Sequence, residues 1–279
     1  MVSVESRGTV NIDVLPNDPK QSTIQISAES VGHIPGDGGF CERTEGGARI
    51  LVTCDGVSST QTTAEEATTV AKELAFGLEE LDRIENPEHR FNKFQRIVGD
   101  NNIYSAALKL PKEKLTTISL SHIHPDGEVY VATMGDSCVL VVGENGLEFN
   151  SAPDSDSPSD PRISKYLGHD GDGRLHCANP NFYRFNLNEV AGRYAIVLNT
   201  TDGFYQYLQG ATYEELFNNI ATMLTHRMQE FRDAEFYPQQ FIEGIADFLN
   251  DLRKDGRTGE QLSAADDIFS YLFIIFREN

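Results

Sequence analysis

Four apolar, β-prone stretches meet an acidic residue at one end. Residues 50–54 run into Asp55-Gly56, and 194–201 run into Asp202-Gly203. Residues 129–134 end at Gly135-Asp136-Ser137, and Asp266-Asp267 directly precede the run 268–276. Runs rich in Val, Ile, Leu and aromatics, bounded by Gly and Asp, read as buried strands. One Asp-Gly is an ordinary turn former. Four acid-bearing strand ends converge if the strands lie side by side with their tips at one edge. Carboxylates gathered there repel one another unless a cation neutralises them. The pattern therefore implies a metal site built from oxygen ligands.

The remaining elements follow from the same patterning. Residues 22–30 read as a first strand. Residues 32–40 form a Gly- and Pro-rich loop whose one acid, Asp37, comes just before the strand pair that delivers Asp55. Residues 62–81 place Ala67, Ala71, Leu74, Leu78 and Leu81 on one helical face. A second helix is expected over 88–110, stopped by Pro111. Residues 114–123 and 128–142 read as two strands joined at His124-Pro125-Asp126-Gly127, and Glu144-Asn145-Gly146 as a hairpin turn. Residues 151–181 are an acidic loop rich in Ser and Pro, interrupted by Tyr166-Leu167-Gly168, which suggests a flap lying on the body. Helices are expected over 212–230 and 238–252. The organisation expected is a polar lead-in over 1–21 and a single domain over 22–279. Strands joined by short turns, with helices between, point to an α+β protein of antiparallel sheets with helices layered outside.

Composition narrows the function classes. Of the 279 residues, 23 are Lys or Arg and 43 are Asp or Glu, for a formal net charge of −20. That balance argues against nucleic acid or an anionic membrane as partner, because both need a cationic face. It favours cations or basic segments. Cys41, Cys54, Cys138 and Cys177 are isolated, with no CxxC pair, so free thiols in a reducing compartment are the simplest reading. No run approaches membrane-spanning length, and the first residues show no basic segment followed by an apolar one. The expectation is a cytoplasmic protein that acts as a monomer. No Gly-x-Ser-x-Gly elbow surrounds Ser137, which reads as a turn hydroxyl rather than a nucleophile.

Taken in order, these motifs resemble the metal-dependent serine/threonine protein phosphatases of type 2C. Cys54-Asp55-Gly56, Leu115-Thr116-Thr117, Met134-Gly135-Asp136-Ser137, Tyr166-Leu167-Gly168, Thr201-Asp202-Gly203-Phe204 and Asp266-Asp267-Ile268 stand in that family's order, across nearly the whole chain. The resemblance implies a four-layer α-β-β-α sandwich, two antiparallel sheets flanked by helix pairs. It implies two Mn²⁺ or Mg²⁺ ions, with Asp55 bridging them. Asp202 and Asp266 would complete one shell, and Asp37 with the Gly56 carbonyl would serve the other. Asp136 with Asp202 would hold a third ion. It further implies hydrolysis of phosphoserine or phosphothreonine by a metal-activated water. The partner would then be a phosphorylated protein, a Ser/Thr kinase or that kinase's target. Departures from the family pattern are Val57 for a histidine, Ser58 and Ser59 for two glycines, Gly36 for an acid, Cys138 for an arginine and Gln206 for an acid. A phosphate-binding arginine before the first Asp is absent, and His33 is the nearby candidate for that contact. These departures keep a second reading open, a pseudophosphatase that binds a partner through the same fold. A structural Ca²⁺-binding β-sandwich is the third, without a DxDxDG-type loop to support it.

Overall fold

The structure is a computed structural model and describes residues 10–15, 21–28, 36–57, 60–151, 153–154, 165–206, 212–229, 244 and 268–276. In chain order the strands are β1 (Val10–Leu15), β2 (Gln21–Ala28), β3 (Gly38–Arg43), β4 (Arg49–Gly56), β5 (Leu115–Ile123), β6 (Glu128–Met134) and β7 (Cys138–Gly143). They continue as β8 (Gly146–Asn150), β9 (Leu167–His169), β10 (Leu175–Cys177), β11 (Asn181–Asn186), β12 (Tyr194–Thr200) and β13 (Ile268–Phe276). The α-helices are α1 (Ala64–Ala75), α2 (Pro87–Gln95), α3 (Ile103–Lys109), α4 (Gly203–Gln206) and α5 (Tyr213–Gln229).

The strands pair into two antiparallel sheets. One runs β1-β2-β13-β12-β7-β8. The other runs β3-β4-β5-β6-β11, and the β9–β10 hairpin pairs against the first residues of β5. Period-two alternation explains how the sheets stack. Leu51 of β4, Val131 of β6, Val139 and Val141 of β7, Val197 of β12 and Phe273 of β13 fill the layer between the sheets. Ile50, Val52 and Cys54 of β4 and Ile118 and Leu120 of β5 point the other way, into the core shared with α1, α2 and α3. Leu140, Ile196, Leu198 and Leu272 pack against α5. The result is the expected α+β sandwich, helices outside and two antiparallel sheets inside. The helix expected over 238–252 lies outside the described residues.

Five local findings differ from the sequence reading. The helix expected to reach Leu81 ends at Ala75, because Gly77 takes a left-handed φ of 78° and the chain continues as a 3-10 turn, Leu78–Arg83. The helix expected over 88–110 is continuous but contains a π segment, Arg96–Asn102. The stretch 128–142 is two strands in different sheets. Gly135 turns the chain at φ 84°, so β6 stays in one sheet and β7 crosses to the other. Strand β11 was not foreseen, and β1 lies inside the stretch read as a lead-in.

Candidate metal centre

The layer between the sheets changes character along its length. It is aliphatic and aromatic at one end, and toward the tips of β4 and β12 it becomes lined with hydroxyls and amides. Thr53 Oγ1 and Ser119 Oγ are 2.6 Å apart, and Thr117 Oγ1 and Ser137 Oγ 2.7 Å apart. Ser121 Oγ donates to Asn199 Oδ1 at 2.7 Å. All six residues are buried, so these bonds satisfy groups that water cannot reach. Beyond them the acids emerge.

Asp55 follows Leu51 and Thr53 on the inter-sheet face of β4, and Asp202 follows the last residues of β12. Asp136 sits in the turn between β6 and β7. The structure brings these three together: a carboxylate oxygen from each lies within 4.8 Å of the others. Asp55 and Asp202 are only 8% exposed. Asp37 stands close by. Gly38 pairs with Cys54, so one step further along the register Asp37 faces Asp55. Thr201 Oγ1 donates to Asp37 Oδ2 at 2.7 Å and itself receives the Phe269 N–H at 3.1 Å. A single hydroxyl thus links Asp37, Asp202's neighbour and the start of β13. Gly56 completes the approach: its N–H bonds the Gly36 carbonyl at 3.2 Å, and a Cβ there would lie 2.8 Å from that oxygen. Asp266 and His33 lie outside the described residues.

Neighbouring groups register the negative field. Burial pushes the Cys54 thiol well up, and Asp37 and Asp55 push it further. Burial does the same to Cys138 and to the Tyr205 hydroxyl, with Asp136 and Asp202 adding to both. Three mutually close oxygen donors on mostly buried aspartates form a hard, anionic set, which fits a divalent cation that prefers carboxylate oxygen. Soft metal chemistry does not fit: all four cysteines are free, and none belongs to the cluster.

The backbone around the acids is held by residues to which the sequence reading gave no role. Thr116 Oγ1 donates to the Asp55 carbonyl at 2.8 Å, and the Tyr205 hydroxyl donates to the Asp136 carbonyl at 2.7 Å. Ser137 is fully buried and engaged with Thr117, as its reading as a turn hydroxyl requires. The flap hairpin lies at the same end, because β9 pairs with Leu115 and Thr116, and Thr116 also faces Gly56 across β4. A cavity of about 110 Å³ lined by Arg49, His124 and Asn188 lies at the opposite end of β4 and touches none of the acids. Among the described residues, no helix is long and apolar enough to cross a membrane.

Models of known protein families give no match to the chain, and a search of curated proteins finds none either. Solved structures do resemble it. The serine/threonine phosphatase Stp1 from Staphylococcus aureus superposes with a TM-score of 0.59 at 16% identity, over the whole of both chains. The Mycobacterium tuberculosis serine/threonine phosphatase PstP/Ppp gives 0.58 at 15% identity, over 92% of this chain and 99% of that one. RsbX in complex with magnesium gives 0.52 at 15% identity, over 96% of this chain and all of the other. At such identities the likeness establishes a shared fold, that of bacterial serine/threonine phosphatases.

Proposed function

We propose that this chain is a Mn²⁺- or Mg²⁺-dependent protein serine/threonine phosphatase. The observation that carries the reading is the meeting of Asp55, Asp136 and Asp202 within 4.8 Å at one end of a phosphatase-type sandwich. Asp55 and Asp202 hold cations from opposite sheets, with Asp37, the Gly56 carbonyl and Asp266 as further ligands and Asp136 serving an additional ion. Bound cations supply an activated water and neutralise the phosphate oxygens. The protein's part is to fix the ligands. Rigid strand tips aim the carboxylates, the hydroxyls behind them hold the backbone, and burial keeps the field strong. His33 is the residue proposed to meet the phosphate. The flap hairpin borders the site and offers a surface to a phosphorylated protein.

The setting proposed is the cytoplasm, in keeping with four free cysteines, and the partner a Ser/Thr kinase or its target. The protein works as a monomer in this account. Hydrolysis of p-nitrophenyl phosphate with Mn²⁺, with and without EDTA, tests it in the natural chain and in Asp202→Asn. Metal-dependent turnover lost in the variant is expected. Val57, where the family has a histidine, favours the pseudophosphatase as second reading; Mn²⁺ uptake with no turnover would select it.

A further inference from the structure

The turn Gly135-Asp136-Ser137 is held at each of its residues. Ser137 is bonded to Thr117, and the Asp136 carbonyl to Tyr205. Gly135 is held by Asp154, 19 residues further on. Asp154 Oδ2 accepts the Gly135 N–H at 2.9 Å, and the Asp154 N–H donates to the Gly135 carbonyl at 2.7 Å. Both backbone groups of the residue that turns the chain at φ 84° are therefore fixed by one side chain and its own amide. The other carboxylate oxygen faces the flap. Asp154 Oδ1 accepts from Asn181 Nδ2 at 2.9 Å and lies 3.2 Å from Lys165 Nζ, and that ammonium donates to Asn181 Oδ1 at 2.6 Å. Asp154 is 9% exposed at its side chain and Lys165 31%, so the pair is sheltered but not desolvated.

We infer that Asp154 is a positioning residue for Asp136. It sets the peptide before that acid and, through Lys165 and Asn181, braces it against the two ends of the segment 165–181. Among the described residues the acids that gather are Asp55, Asp136 and Asp202, and Asp154 is not one of the three. Its effect reaches the ion through the orientation of Asp136. Outer partners that orient ligands commonly change metal affinity by about 10- to 100-fold when removed. This inference rests on the proposed metal-dependent function.

The test is Mn²⁺ binding by titration calorimetry to the natural chain, Asp154→Ala, Asp136→Asn and the double variant. Asp154→Ala is expected to weaken the Mn²⁺ event that Asp136→Asn abolishes, by about tenfold or more, and to leave the other events unchanged. The double variant is expected to match Asp136→Asn, because residues that act through one another do not add. Lys165→Met serves if Asp154→Ala fails to fold: it removes only the brace, and it is expected to weaken the same event by about threefold. An unchanged affinity in a folded Asp154→Ala or Lys165→Met would overturn the inference alone, as would equal weakening of every event. No Mn²⁺ uptake by the natural chain would overturn the metal reading itself, and the inference with it.

Discussion

Replacing Asp202 with Asn should stabilise this protein when it is stripped of metal and destabilise it relative to the natural chain when Mn²⁺ is present. The three clustered carboxylate oxygens lie within 4.8 Å of one another. Two unit charges at that distance repel by about 3.5 kcal/mol at an effective dielectric of about 20, and removing one acid relieves two such pairs. Asp136 is only partly buried and water screens it, so the net gain should be about 2 kcal/mol, or a Tm higher by about 4–8 °C. Mn²⁺ at 100 times its dissociation constant stabilises a chain that binds it by about 2.7 kcal/mol, and Asp202→Asn should gain little of that. Thermal unfolding followed by circular dichroism in EDTA and in Mn²⁺ should show the order of the two melting curves invert. A variant less stable than the natural chain in EDTA, with both chains responding alike to Mn²⁺, would refute the electrostatic argument.

Three further outcomes follow from the same geometry. Ser137→Ala should cost about 1 kcal/mol in urea unfolding, by stranding the Thr117 hydroxyl, yet keep turnover within tenfold; a loss on the order of 10⁴-fold would make Ser137 a nucleophile instead. In Gly56→Ala the new Cβ would lie 2.8 Å from the Gly36 oxygen and from Thr62 Cβ, so a loss of about 1–3 kcal/mol is expected, together with weaker Mn²⁺ binding by calorimetry; an unchanged midpoint would contradict the close approach. Burial pushes the His122 imidazole below its ordinary 6.5, with the Asp82 carboxylate 3.7 Å away pulling part of the way back. The unfolded chain then binds the proton first. Stability is therefore full above about pH 6.5 and falls below it toward the folded-state value, by up to about 1.4 kcal/mol per pH unit, a slope that His122→Phe should flatten.

Much of the site was legible because strand tips announce themselves locally. An apolar run that stops at Asp55, Asp136 or Asp202 needs no tertiary knowledge to be seen, and the structure gathers these three. The crossing between sheets was hidden. β6 and β7 are buried on both faces, so neither shows the alternation that separates one strand from two, and only Gly135 marked the break. Strand β11 was masked by the polar loop before it, although its aromatics Phe182, Tyr183 and Phe185 fit a half-covered strand. The supporting hydroxyls were illegible for a different reason. Thr201 reaches Asp37 across 164 positions and Thr116 reaches Asp55 across 61, and a threonine carries no local sign of such a partner. Asp154 read as one acid among several in a low-complexity loop, because its bonds to Gly135 exist only once β7 and β8 have folded back.

The proposed activity needs Asp55, Asp136 and Asp202 to bind hard divalent cations. Crystals grown with Mn²⁺, with anomalous scattering recorded near the manganese edge, test it most directly. A strong anomalous peak among the three aspartates is expected, with oxygens at roughly 2.0–2.6 Å. Well-ordered carboxylates with no peak between them, in crystals grown in millimolar Mn²⁺, would contradict it.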